Sequence, residues 1–401
     1  MELHSIFSEV DDPRRNTLLK RHTLSDILLL SLFATLSGCD TDEEIEEYGK
    51  NKEAFLHQFL WLLNGIPSHD TITRVLNAVD TGQFAACLYR HSRYLCEFLE
   101  AHHISIDGKV LRATAQAGKR NSGVCVVSAW ACEQQLVLGQ CKTEQKSNEK
   151  TAIPALLDDL DVKGAIVSID AIANGPAIAK QIVDKQGHYL LSLKNNQKNT
   201  FEQMHDYMMS HHAGMRCDKS VDFGSGRIET RTCYVTTCTD LLEETLAWKN
   251  IQSVIMVHAL RETDTNRQQE YRFYLSDVAE SPAYFNQKVR EHWSIENQLH
   301  WQLDVSFDED RCRTNTKNGA ENRNTLRKLS LQLPRGGRLN RWMINIVSRS
   351  DEKKPDGTTT TLPRLYANTA LVSAFNLVKV RISIFPGFVY HLFLILSPVL
   401  H

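Results

Sequence analysis

At residue 103 the apolar pattern of this chain changes period, and the order of elements that follows leaves few folds open. Upstream, apolar residues recur at helical spacing. "HHISID" then alternates, with Ile104 and Ile106 on one face and Ser105 and Asp107 on the other. "VCVVSAWA" (124–131) and "QLVLGQCKT" (135–143) are two further strands, joined by a link short enough for a hairpin. "NEKTAIPALLDDL" (148–160) is predicted helical, "AIVSID" (165–170) a strand, "GPAIAKQIVDKQG" (175–187) a helix and "HYLLSLK" (188–194) a strand.

Strand, strand, strand, helix, strand, helix, strand implies an α/β fold, a mixed sheet flanked by helices in the RNase H-like pattern. Right-handed crossovers place the 165–170 strand parallel beside 104–107. Asp107 and Asp170 then sit on neighbouring strands, facing one region. Residues 198–282 break the rhythm: "GRIETRTCYVTT", "SVIMVHAL" and "EYRFYLSD" are predicted strands of a β-rich insertion. A long helix is predicted from about Pro282 to Asp304.

Residues 1–98 are predicted helical. In "HTLSDILLLSLFATLSG", Thr23 is the N-cap and Gly38 the stop. "DTDEEIEEYGKNKEAFLHQFLWLL" opens with acids, as the helix dipole prefers. The helices around "NGIPSHD" are compatible with a DNA-binding helix-turn-helix or with a bundle packed on the next domain. The domains expected are 1–98, 99–333 and a divergent tail, 334–401.

"REHWSIENQLHWQ" sets His292, Glu296 and His300 at steps of four, the look of a zinc stripe. The histidines are eight residues apart, about 12 Å along a helix, so all three cannot lie about 2.0–2.2 Å from one zinc. On a helical wheel Val289, His292, Trp293, Glu296, Leu299, His300 and Leu303 share a stripe. Glu296 is therefore expected on the core-facing side, where its charge needs a metal ion or a positive partner. Together with Asp107 and Asp170 it makes a hard-oxygen site suited to magnesium or manganese. Two ions about 3.5–4 Å apart can clamp the attacking and leaving oxygens of a phosphoryl displacement. Alone, Asp107 is explained as a turn residue and Asp170 as a strand-end cap. Asp304 is the reserve ligand, and Asp308, Glu309 and Asp310 are expected in loop, solvated or ion-paired.

The net charge of −2 gives no sign of a polyanion partner, so any nucleic-acid surface must be local. Between Arg311 and Arg349 stand ten basic residues, among them Arg313, Arg323, Arg327 and Lys328, against the single acid Glu321. This is the expected phosphate-binding stretch. Lys194, Gln197 and Lys198 in "LKNNQKN" are a second candidate contact. Arg290 and Trp293 are candidates for positioning a phosphate or stacking a base, with core filler the favoured reading of Trp293, and His292 and His300 are candidates for flanking roles. None of the ten cysteines forms a Cys-x-x-Cys pair and nothing at the N-terminus reads as a signal peptide, so reduced, buried cysteines in a cytosolic protein are expected. "IFPGFVYHLFLILSPVL" (384–400) falls short of the about 20 apolar residues of a membrane span.

These motifs carry a resemblance. From about residue 5 to about 333 the chain resembles the H-repeat-associated transposases of bacterial insertion sequences, members of the DDE superfamily. "DPRR", "LSDILLL", "NGIPSHDTITRVL", "SIDGKVLR", "SIDAIANGPAIAKQIVDKQGHYLLSLKNNQ", "GRIETR", "HWSIENQLHWQLDVSFDEDRCR" and "ENRNTLRKLSL" carry it in order. The resemblance implies an RNase H-like catalytic core using two divalent ions, with the triad on Asp107, Asp170 and Glu296. It implies DNA partners, the element's terminal repeats and its target, a homodimer when two ends are synapsed, and a cytoplasmic, nucleoid-associated location. Water would nick the element's end, and the freed 3′-hydroxyl would attack target DNA. Two departures stand out. Val289, His292 and Leu303 occupy the tyrosine, arginine and lysine positions of the related tyrosine-arginine-glutamate-lysine signature. After "LRKLSLQLP" the chain leaves the family pattern, as a frameshift or read-through would make it. The alternatives are a degenerate copy that binds DNA and cuts nothing, or a nuclease on the same fold.

Overall fold

In the computed structural model, residues 7–332 are described apart from 16–19, 97–101, 116–122, 144–148, 171–174, 195–196, 225, 238–246, 313 and 315–317. The chain divides into one compact unit, Met1–Gly337, and a second, Arg338–His401. The tail expected over 334–401 lies outside the described residues.

The alternation at 103 becomes β1 (His103–Leu111), followed by β2 (Val124–Ala131), β3 (Leu136–Lys142), α6 (Glu149–Asp159), β4 (Ile166–Ile169), α7 (Pro176–Asp184) and β5 (His188–Leu193). β1 pairs antiparallel with β2 and parallel with β4, and β4 pairs parallel with β5. The strand order β3-β2-β1-β4-β5 is the expected RNase H-like mixed sheet. Because side chains alternate along each strand, Ile104, Ile106, Val167 and Ile169 face a core shared with Ile153 and Leu157 of α6 and Ile178 and Ile182 of α7. Each such fully buried aliphatic contributes roughly 1.5–3 kcal/mol. The intervening residues of the same strands are thereby turned to the opposite face.

The insertion is part of the same sheet. α8 (Lys198–His211) leads to β6 (Cys217–Gly224), β7 (Arg227–Thr236), β8 (Ser253–Glu262) and β9 (Arg267–Ser276). β9 pairs antiparallel with β5, so the order continues as β5-β9-β8-β7-β6. The sequence pattern anticipated β7, β8 and β9 but not α8 or β6. β6 is an edge strand whose residues are exposed or half-buried, so it carries no core-facing apolar face to announce it.

The predicted long helix is broken. α9 (Pro282–His292) is capped by Ser281, whose hydroxyl accepts from the Tyr284 amide at 3.2 Å. A π-helical turn over Ile295–His300 follows, then α10 (Trp301–Ser306). α9 packs Phe285 and Val289 against Ile166, Leu190, Ile255 and Val257, on the sheet face opposite α6 and α7.

The N-terminal helices are α1 (Leu24–Leu36), α2 (Asp42–Asn51), α3 (Glu53–Leu56), α4 (His69–Ala78) and α5 (Thr81–Cys96). Thr23 caps α1 as expected, accepting from the Asp26 amide at 3.0 Å, and Gly38 ends it at φ +90°. α1 is buried almost all round. α4 turns Ile72, Val75 and Leu76 inward and packs on α1, α2 and α11 (Gly319–Gln332), the bundle arrangement of the two considered.

α11 corrects the expected basic surface. Arg323, Arg327 and Lys328 are 6%, 4% and 1% exposed, so they present no phosphate-binding face. The helix is wedged between the N-terminal bundle and strands β2 and β3, and its polar side chains are spent inside. Arg323 pairs with Asp42, Arg327 approaches Glu309 at 3.6 Å, and Asn322 donates to the Leu76 carbonyl at 2.8 Å. None of the described cysteines is in a disulfide, with Cys87, Cys132 and Cys233 buried as expected and Cys217 exposed.

Candidate active site

Ile106 and Ile169 are register partners across parallel β1 and β4. Asp107 and Asp170, the next residues, therefore stand level on adjacent strands about 4.8 Å apart, on the face opposite α6 and α7. The Asp107 carboxylate lies 3.7 Å from Nδ1 of His300, a side chain of the π turn. Burial, then the nearby Lys328 and Lys109 charges, push the His300 ring down to about 3, so it meets Asp107 as a neutral group. Lys194 leaves the end of β5 and places Nζ 3.1 Å from Asp170 Oδ1 while donating to the Asp170 carbonyl at 3.0 Å.

Glu296 is not on the core-facing side. Ile295 and Leu299 take the buried positions, and Glu296 is exposed. The wheel assumed an uninterrupted α-helix, whereas the wider π turn rotates the chain after Ser294 and re-aims the glutamate; such turns are frequent at functional sites. Even at this rim, desolvation and then the negative charge of Asp170 raise its carboxyl, with Arg272 and Lys194 opposing. Glu296 and Asp170 thus share one electrostatic neighbourhood. Among the described residues no three His, Cys, Asp or Glu side chains gather into a ligand cluster. The donor set still fits a hard divalent cation: carboxylates that repel one another without a counter-charge are what oxygen-seeking ions neutralise.

Several neighbours carry no sequence signal of their own. Arg272 of β9 stands with its guanidinium carbon 4.1 Å from the centre of the Trp293 ring, and Glu270 accepts from it at 2.8 and 3.1 Å. Nothing in "EYRFYLSD" marks this arginine as near Asp170, since only the β5–β9 pairing brings it there. Trp293 is half-buried beneath it and not a simple core filler. His292 is buried against Ser168, whose Oγ is 2.8 Å from its Nδ1. His292 and His300 therefore have different partners. Asp304, the reserve ligand, is ion-paired with Lys109. Glu309 is buried, accepts from Asn324 at 2.8 Å and lies 3.6 Å from Arg327, so of the two states expected it is the ion-paired one.

The other candidate DNA contacts are spread out. Lys198 is exposed and 3.8 Å from Glu202, and the Gln197 amide donates to the Lys194 carbonyl at 3.0 Å. Arg290 lies half-exposed 3.3 Å from Asp222 of β6, a partner the sequence did not reveal. Arg311 is exposed and 3.6 Å from Asp308. Arg313 lies outside the described residues.

An RNase H-like sheet of this order is the frame of the DDE class of nucleic-acid enzymes. The description "Transposase DDE domain" matches residues 99–333 and "DDE_Tnp_1-associated" matches residues 4–92, and the chain belongs to the DDE transposase family. It is 33% identical over 343 residues to "H repeat-associated putative transposase YhhI" of Escherichia coli, covering 83% of this chain and 91% of that protein. It is also 37% identical over 283 residues to an uncharacterized protein in the dhlA 3′ region of Xanthobacter autotrophicus, covering 69% of this chain and 94% of that protein. Membership implies DNA binding, and DDE transposase domains depend in general on divalent metal ions. No helix among the described residues is long and apolar enough to cross a membrane.

Proposed function

We propose that the protein is the transposase of an insertion sequence, cutting DNA strands at the element's ends and joining them to target DNA. Asp107, Asp170 and Glu296 are its metal-binding catalytic residues. The observation that carries this reading is the register of β1 and β4, which levels the two aspartates on the face to which the helix region carrying Glu296 belongs. Magnesium or manganese, when bound there, supplies activation of the attacking oxygen and stabilisation of the leaving one.

The remaining groups act on the DNA. Lys194 and Arg272 bring positive charge beside Asp170 and Glu296, where the scissile phosphate must enter against the carboxylates. Lys198, Arg290 and Arg311 contribute to backbone attraction, with Gln197 next to Lys198 in the chain. The second chain of a homodimer would supply the second end in synapsis.

A magnesium-dependent nicking assay on the element's own terminal repeats tests this. Asp107→Asn, Asp170→Asn and Glu296→Gln should each abolish cleavage while leaving DNA affinity within a few-fold of normal. Near-normal cleavage by any of them overturns the assignment. An intact chain that binds the repeats but never cuts them is the degenerate copy, and one that cuts RNA–DNA hybrids or branched DNA without sequence preference is the nuclease.

A further inference from the structure

A chain of hydrogen bonds crosses the buried space between β1, β4 and α9, next to the candidate site. Lys288 donates to Glu291 Oε2 at 2.8 Å, and Gln287 donates to Glu291 Oε1 at 2.6 Å. The same Glu291 Oε2 lies 3.0 Å from Nδ1 of His103. Nε2 of His103 lies 2.7 Å from Ser168 Oγ, and Ser168 Oγ lies 2.8 Å from Nδ1 of His292. His103, Ser168 and His292 are 0%, 2% and 8% exposed.

The proton directions in this chain follow from an ionised Glu291 together with a neutral His103. Burial alone would raise the Glu291 carboxyl, but hydrogen bonds from His103, Lys288 and Gln287 outweigh it and hold it at about 2. An ionised carboxylate only accepts, so His103 must donate from Nδ1. Burial lowers His103 from its ordinary value against the opposing pull of Glu291, which favours the neutral ring, and a neutral ring leaves Nε2 as an acceptor for the Ser168 hydroxyl. With its hydrogen committed, Ser168 Oγ can only accept from His292, whose Nδ1 must carry the proton. Burial also pushes His292 down to about 4. Its Nε2 then carries the lone pair. Asp170, Arg272 and Lys194 are among the charges that bear on this ring.

We propose that Glu291, His103 and Ser168 are positioning residues that lock His292 as the Nδ1–H tautomer. His292 thereby offers Nε2 as a hydrogen-bond acceptor to the hydroxyl nucleophile, water or a DNA 3′-hydroxyl, beside Asp170. This rests on the cleavage function proposed above. It assigns His292 the opposite of phosphate contact, since a lone pair repels phosphate oxygens and accepts from an O–H. A purely structural role would be served as well by apolar side chains, because buried polar chains are costly and often replaceable without loss.

Two measurements on the full chain decide it. Nitrogen-15 spectra of labelled histidine, with His292 assigned by its loss in His292→Gln, should show a protonated Nδ1 and a bare Nε2. Ser168→Ala should shift the ring toward the other tautomer and slow magnesium-dependent nicking at least ten-fold with unchanged DNA affinity, and Ser168→Thr should restore both. Wild-type His292 protonated chiefly at Nε2 would overturn the proposal. So would a Ser168→Ala protein with unchanged spectrum and nicking rate. If the wild type nicks no DNA, the cleavage function fails while the nitrogen spectrum still decides the tautomer.

Discussion

Arg272 lies over the ring of Trp293, 4.1 Å from its centre, with β9 and the break between α9 and the π turn meeting at that contact. A guanidinium on an indole face gains about 0.5–2 kcal/mol, and here it points the charge at the neighbourhood of Asp170 and Glu296. Arg272→Ala should weaken DNA binding and lower the slope of log affinity against log salt by about 0.9, the loss of one phosphate contact. Fluorescence anisotropy over a salt series measures it. An unchanged slope would mean that Arg272 serves Glu270 and Trp293 alone.

The raised carboxyl of Glu296 has two named causes, desolvation first and Asp170 second. Removing the second should lower the titration midpoint, because Lys194 and Arg272 remain to favour the charged form. Asp170→Asn is therefore expected to move Glu296 toward the ordinary glutamate range. Carboxyl carbon-13 shifts followed against pH, without metal, give the midpoint. No movement would separate the two residues electrostatically.

Lys328 is 1% exposed, donating to Ser128 Oγ at 2.7 Å and Gln140 Oε1 at 2.8 Å. Burial is the main cause that lowers it from 10.5 to about 7. Between those values the unfolded chain binds the proton that the folded chain has released. Stability should accordingly rise with pH across that window, by at most about 1.4 kcal/mol per pH unit from this group. Urea unfolding of the wild type and Lys328→Met at pH 7 and pH 9 should show the rise reduced in the variant. Equal rises in the two proteins would show that Lys328 titrates normally.

Arg323 and Asp42 join α11 to α2, each side chain 8% exposed. Truncating one partner leaves an unpaired buried charge, so Arg323→Met should cost about 3–5 kcal/mol. The double variant with Asp42→Asn should cost clearly less than the sum of the two single changes. A denaturant double-mutant cycle reads the coupling, and strict additivity would refute it.

Much of the catalytic region was legible from local pattern. Alternation placed β1 and β4, right-handed crossovers made them parallel neighbours, and this set Asp107 and Asp170 facing one region; only the register of the two strands levelled them. The Thr23 cap and the Gly38 stop were equally readable, because caps and stops depend on neighbours within a few residues. Strand β6 was not, since an edge strand has no buried face to betray it.

The sequence by itself determined the RNase H-like class, the neighbouring strands that carry Asp107 and Asp170, and the family, all of which depend on short-range periodicity and residue type. Only the tertiary structure decided which way Glu296 and the basic residues of α11 face. Glu296 turns outward because a π turn interrupts the helix, and such a turn is invisible to a fixed 100° wheel. Arg323, Arg327 and Lys328 read as a phosphate-binding stretch, yet their partners, Asp42, Glu309, Ser128 and Gln140, come from remote elements that wrap α11. A charge declares its type locally, but whether it meets water, DNA or a buried counter-charge is settled by the chain that packs against it.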